Sequence, residues 1–142
     1  PTDLAAAIGL LSRPPRRRGL AVVVSDFMAD PDAWERPLRA LRSRHDVLTI
    51  EVLDPRELEL PSVGVLNVVD PETGQVLEVQ TGNRAVRERY AAAAQAQRAA
   101  VATGLRRAGA AHLQLRTDRD WLRDTVRFVS ARRRGMALGA VR

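Results

Sequence analysis

The sequence contains no cysteine and no lysine. Without cysteine there are no disulfides, no thiolate metal ligands and no cysteine nucleophile. All 23 basic residues are arginine. Arginine suits bidentate phosphate contacts, but GC-rich coding with abundant alanine gives the same bias. The arginines are spread through segments that also carry acids, which favours the coding explanation. Aromatic residues are few: Phe27, Phe128, Trp34, Trp121 and Tyr90. Histidine occurs only at His45 and His112. No apolar run reaches the ~20 residues of a membrane span, and no signal-peptide pattern opens the sequence. These features point to a cytoplasmic segment that does not contact a membrane.

What is present suits one α/β domain over residues 1–142. A chain of this size buries roughly two-thirds of its extended-chain surface. Leu4, Ile8 and Leu11 mark one face of a first helix over residues 3–12, stopped by Pro14-Pro15. Leu20-Ala21-Val22-Val23-Val24 is a continuous apolar run, as in a strand covered by helices on both faces. Asp30-Pro31 starts a second helix, with Asp32 and Glu35 as a capping box and Trp34, Leu38 and Leu41 facing inward. Val47–Leu53 reads as a second strand, ended by Asp54-Pro55. This order predicts parallel strands with right-handed crossovers, in a three-layer, mostly parallel sheet.

A β-hairpin insertion interrupts the order at about residues 64–80, with strands at 65–69 and 75–79 around the turn Asp70-Pro71-Glu72-Thr73-Gly74. A long Ala- and Arg-rich helix is expected from Asn83 to Arg107, with Gly109 as its C-cap and Tyr90 in the core. A short strand at 111–115 leads to a last helix capped by Thr117, with Asp120 at its third position. Trp121, Leu122, Val126 and Val129 are expected to face inward. Arg132-Arg133-Arg134-Gly135 ends that helix, and residues 136–142 read as a loose tail.

Several of these segments together resemble the bacterial family known as domain of unknown function number fifty-eight. They are Arg16–Phe27, His45–Leu48, Val52–Glu57, Asp70–Gly74 and Thr117–Leu122. Members of that family resemble von Willebrand factor type A domains and are commonly encoded beside AAA+ ATPases of the MoxR type. The resemblance implies a doubly wound, mostly parallel sheet and a protein-interaction role with such an ATPase. Type A domains can carry a metal site built from Asp-x-Ser-x-Ser, a Thr and an Asp. Asp26, with Ser25 beside it, matches the last Asp; the first motif is absent, and no Thr can be assigned. The resemblance therefore implies the C-terminal half of such a domain. No cofactor is expected in this chain, and Mg²⁺ only in a full-length domain. It also places a central-type strand at an edge, where homo-oligomers can form.

Other chemistry finds little support. Asp26 lies at a strand end, where open α/β sheets place ligands, but one carboxylate and the Ser25 hydroxyl are too few for a hard cation. An Asx-turn or cap role competes. Asp30 and Asp54 could join Asp26 in a metal-dependent hydrolase, yet capping and turn formation explain both. Ser25 is not in a Gly-x-Ser-x-Gly elbow, and neither a Gly-x-Gly-x-x-Gly nor a Walker A motif occurs. No catalytic residue is assigned. Arg16, Arg17, Arg18, Arg132, Arg133 and Arg134 are a candidate interaction patch or a solvated face; nucleic-acid binding through them is the alternative function, disfavoured because no recognition module is visible and no aromatics are interleaved as stacking platforms.

Overall fold

In a computed structural model, residues 3–11, 17–69 and 74–139 are described, with side chains to Gly135. The Pro14-Pro15 stop, Arg16 and most of the hairpin turn lie outside these residues.

The first helix, α1, spans Leu4–Leu11, and its entry is capped by Asp3, whose carboxylate accepts from Ala6 N at 2.9 Å. Strand β1 (Leu20–Ser25) leads to helix α2 (Pro31–Arg42). Asp30 caps α2 by accepting from Asp32 N at 3.0 Å, and Pro31 follows at a position that needs no amide donor. Glu35 does not complete the expected capping box but pairs with Arg39 one turn on. Pro37 lies inside α2, beyond its first turn.

Strand β2 (Asp46–Leu53) pairs in parallel with β1, placing Val22 opposite Leu48 and Ser25 opposite Glu51. A short 3-10 turn at Pro55–Glu57 is capped by Asp54. The hairpin follows as β3 (Val65–Val69) and β4 (Val76–Gln80), one residue later in its second strand than the alternation suggests. Its base is fixed by Thr81, fully buried, which donates to Gly64 O at 2.8 Å and accepts from Val63 N at 3.2 Å. Helix α3 (Arg84–Ala108) is capped by Asn83 and closed by Gly109, whose φ of 72° is left-handed. Strand β5 (Ala111–Arg116) pairs in parallel with β2, giving the sheet order β1-β2-β5. The expected α/β class, parallel sheet and hairpin are therefore present.

The core lies on one face of this sheet. Val23 and Val47 meet Ile8 of α1, Trp34, Leu38 and Leu41 of α2, and Val101, Leu105 and Ala108 of α3. Gly104 lets α3 approach α2 closely, because a Cβ there would sit 2.9 Å from the Trp34 ring. On the opposite face, Leu113 is buried although it stands outside that core, and the helix contacting β5 from the C-terminal side is α4 (Trp121–Gly139).

Helix α4 corrects several expectations. Asp120, not Thr117, caps it, accepting from Arg123 N at 3.0 Å. The helix passes through Gly135 to Gly139, so residues 136–139 are helical rather than a loose tail. Trp121, Leu122, Val126 and Val129 do not face inward but are 45–60% exposed. Their spacing matched an amphipathic helix, but the sheet beneath α4 is only three strands wide and cannot cover them. Tyr90 is likewise exposed rather than core; its hydroxyl donates to Glu57 O at 3.1 Å.

Candidate functional site

The C-terminal end of β1 forms a tight turn. Ser25 Oγ accepts from Phe27 N at 3.0 Å, and Asp26 Oδ1 accepts from Met28 N at 3.0 Å. Phe27 takes a positive φ of 52°, rare for a bulky residue. Its ring is fully buried and meets Trp34 edge to face, with centroids 5.3 Å apart, so packing compensates the backbone strain.

Ser25 Oγ and Asp26 Oδ1 thus close local turns. Asp30 and Asp54 likewise cap α2 and the 3-10 turn. Among the described residues no three His, Asp or Glu side chains come together to hold a metal ion. Mg²⁺ demands near-octahedral oxygen coordination, and one carboxylate and one hydroxyl, both already accepting hydrogen bonds, do not supply it. Among the described residues, Asp26 and Ser25 do not by themselves make the Mg²⁺ site that the resemblance implies for a full-length domain. Asp26, Asp30 and Asp54 do not form a joint hydrolytic centre.

The most unusual chemistry lies one strand further in. Glu51 is fully buried in the middle of the sheet. Its Oε1 accepts from Arg98 Nη1 of α3 at 2.9 Å. Its Oε2 accepts from His112 Nε2 at 2.7 Å and from Gln114 Nε2 at 2.8 Å, both on β5. Burial alone would push this carboxyl up. The hydrogen bonds from His112 and Gln114, with the electrostatic pull of His112 and of the Arg98 guanidinium, outweigh burial and hold it below its ordinary value of 4.5. The same Arg98 Nη1 donates to Asp26 O at 2.8 Å, and Nη2 reaches Met28 Sδ at 2.9 Å. Arg98 therefore ties the strand-end turn to the buried carboxylate.

Sequence reading passed over Glu51, Arg98 and Gln114. Alternation in β2 carried the signal: Val47, Thr49 and Leu53 are buried, and Glu51 shares their face. A carboxylate on a buried face requires donors from neighbouring elements. Here those donors come from residues 47, 61 and 63 positions away.

Two other surfaces stand out. Leu66, Val68, Leu77 and Val79 of the hairpin face Val86 and Tyr90 of α3 across an open groove of 1330 Å³. On the face of β1 away from the core, Leu20, Val22 and Val24 are 64%, 43% and 61% exposed. Arg17, Arg18, Arg133 and Arg134 are exposed and Arg132 half-buried. Among the described residues, no helix is long and apolar enough to cross a membrane.

The chain is thus an α/β protein with a short parallel sheet, a projecting hairpin and a buried carboxylate network at its centre. It belongs to the family described as protein of unknown function DUF58, which matches residues 1–100. Uncharacterized proteins of Mycobacterium bovis and Mycobacterium tuberculosis are each 56% identical to it over 137 residues, covering 96% of this chain and 43% of their own length. An uncharacterized protein of Mycobacterium avium is 54% identical over 137 residues, covering 80% of its length. The chain therefore spans less than half the length of the first two relatives. No solved structure matches it.

Proposed function

We propose that the chain is a non-catalytic protein-interaction module that works with an AAA+ ATPase of the MoxR type. The partner follows from the resemblance to the bacterial family, whose members are commonly encoded beside such ATPases. The observation that carries the interaction role is the groove between the hairpin and α3. Its walls are aliphatic, Leu77 is 65% exposed, and charged side chains such as Arg56, Glu57 and Arg89 edge it. An apolar patch rimmed by polar groups is the usual form of a protein contact site. Recognition by this chain uses that surface, assisted by Mg²⁺ only in a full-length domain.

The test is co-purification of the full-length protein with the MoxR-type ATPase of the same organism, with and without Mg²⁺. Recovery of the ATPase is expected, with at least a tenfold loss in a Val68→Asp, Leu77→Asp variant. Failure to recover the ATPase in either condition sinks the reading. So does recovery that the double variant leaves unchanged.

A further inference from the structure

The three parallel strands start at one end of the sheet and finish at the other, and this sorts the charges. Helix α2 runs into the start of β2 and helix α3 into the start of β5, so both helices end at the starting end. Helix α4 leaves the finishing end of β5 and packs back along it. Arg133 and Arg134 lie about 18–20 Å along α4, and β5 is itself about 20 Å long, so they too reach the starting end. Residues 17–20, 42–46, 106–111 and 132–135 together hold nine arginines and one acid, Asp46, which pairs with Arg42 at 3.6 Å. At the finishing end the balance is reversed: residues 25–32, 53–59 and 116–120 hold eight acids and three arginines.

Two ordinary causes explain part of this. GC-rich coding replaces lysine by arginine, but it does not sort charges by end. Complementing helix dipoles places cations at the ends of α2 and α3 and an acid such as Asp30 at a start. Neither accounts for Arg17 and Arg18, which precede a strand. Arg17, Arg18, Arg106, Arg133 and Arg134 are all exposed, and among the described residues none of the five pairs with a carboxylate. Leu20, at the same end, is 64% exposed. Leu10 and Leu11, at the end of the helix that leads towards β1, are exposed as well.

We infer that this end of the fold lies against a membrane surface rich in anionic phospholipid. Clusters of about four to eight basic residues bind such headgroups, each residue strengthening the contact by roughly fivefold. Exposed aliphatic side chains beside the arginines add apolar contact at the headgroup boundary. Nucleic acid is the poorer fit. The arginine-bearing segments contain no aromatic residue to stack a base, and the end is made of loops and helix termini rather than an element that enters a groove. The expectation of no membrane contact rested on the lack of a span; a span is needed to cross a bilayer, not to lie on its surface. The hairpin groove is lined by residues 54–61, at the opposite end, so a chain seated on its arginines leaves that groove open. The two readings stand or fall independently.

Sedimentation of the 142-residue chain with vesicles tests this. Vesicles of equimolar phosphatidylglycerol and phosphatidylcholine should bind it roughly tenfold or more tightly than phosphatidylcholine alone, and raising NaCl from about 0.05 to 0.5 M should release it. An Arg18→Gln, Arg133→Gln double variant should bind roughly tenfold more weakly, and Arg18→Glu, Arg133→Glu more weakly still. Arg119→Glu, Arg123→Glu makes the same change in net charge near the other end and should stay within about threefold of the wild-type chain. Equal binding to the two kinds of vesicle overturns the inference. So does an equal loss in the Arg18/Arg133 and Arg119/Arg123 charge reversals, since net charge and not this end would then be read. Displacement from the vesicles by duplex DNA at equal phosphate concentration would make nucleic acid the partner, and displacement by inorganic phosphate would reduce the end to a site for single anions; either result overturns it too.

Discussion

Replacing Arg98 by methionine keeps an apolar stem on α3 and removes the guanidinium. Glu51, with no exposure of its own, would then retain only His112 and Gln114, and the Asp26 carbonyl would lose its donor. Removing one partner of a buried ion pair costs about 3–5 kcal/mol. The Arg98 and His112 side chains are 13% and 22% exposed, so water reaches the flank of the cluster. The low end, about 3 kcal/mol, is therefore expected at pH 7. For a chain of this size that is a fall in Tm of about 6–12 °C. Urea denaturation of the 142-residue chain at a series of pH values is the assay. Glu51 has a folded pKa below its ordinary 4.5. Its contribution is thus present above the unfolded pKa and lost as pH falls through the folded one. The gap between the wild-type chain and Arg98→Met should be widest at neutral pH and narrow as pH falls and Glu51 takes up a proton, first in the variant, whose carboxyl lacks the guanidinium. A loss under about 1 kcal/mol at pH 7, the value of an exposed pair, would refute the reasoning. A gap equal at pH 7 and pH 3 would do the same.

Gly104→Ala should destabilise by about 1–3 kcal/mol through overpacking against Trp34, outweighing the roughly 1 kcal/mol that alanine gains in a helix; thermal unfolding followed by tryptophan fluorescence reads the balance, and a raised Tm contradicts it. Thr81→Val strips the hairpin base of its hydroxyl bonds to Gly64 and Val63 and should cost about 1–3 kcal/mol, with faster amide exchange at Val63 and Gly82; unchanged exchange there counts against the latch. Asp30→Ala removes the cap of α2 and should cost about 1 kcal/mol in urea unfolding, and a neutral result would mean that Pro31 alone sets the helix start.

Much of the fold was legible because local signals and tertiary outcome agreed. Asp30-Pro31, Asn83 and Gly109 act where their chemistry predicts, and the apolar runs at Leu20–Val24 and Val47–Leu53 became paired parallel strands. Reading α4 failed for a physical reason. Periodicity shows that a helix has an apolar side, not that anything lies against it, and Leu122, Val126 and Val129 have too little sheet beneath them. The strand end at Ser25-Asp26 was found because it is contiguous in sequence. The network behind it was not, because Glu51, Arg98, His112 and Gln114 meet only once β2, α3 and β5 are assembled.

That network also changes what Asp26 means. Its side chain closes a turn, while its backbone carbonyl, invisible to any motif, is held by Arg98. A buried ion pair is a poor means of gaining stability, since well-packed apolar residues of similar volume often do as well or better. The pair does something apolar residues cannot. One guanidinium fixes the carboxylate of β2, the carbonyl at the end of β1 and the sulfur of Met28 in one arrangement. We therefore expect a Glu51→Leu, Arg98→Leu double variant to recover much of the stability lost by Arg98→Met while loosening residues 26–28. Amide exchange at Met28 separates the two effects. If stability returns and Met28 stays as protected as in the wild-type chain, the turn is held by Phe27 packing and its own hydrogen bonds, and Arg98 plays no part in placing it.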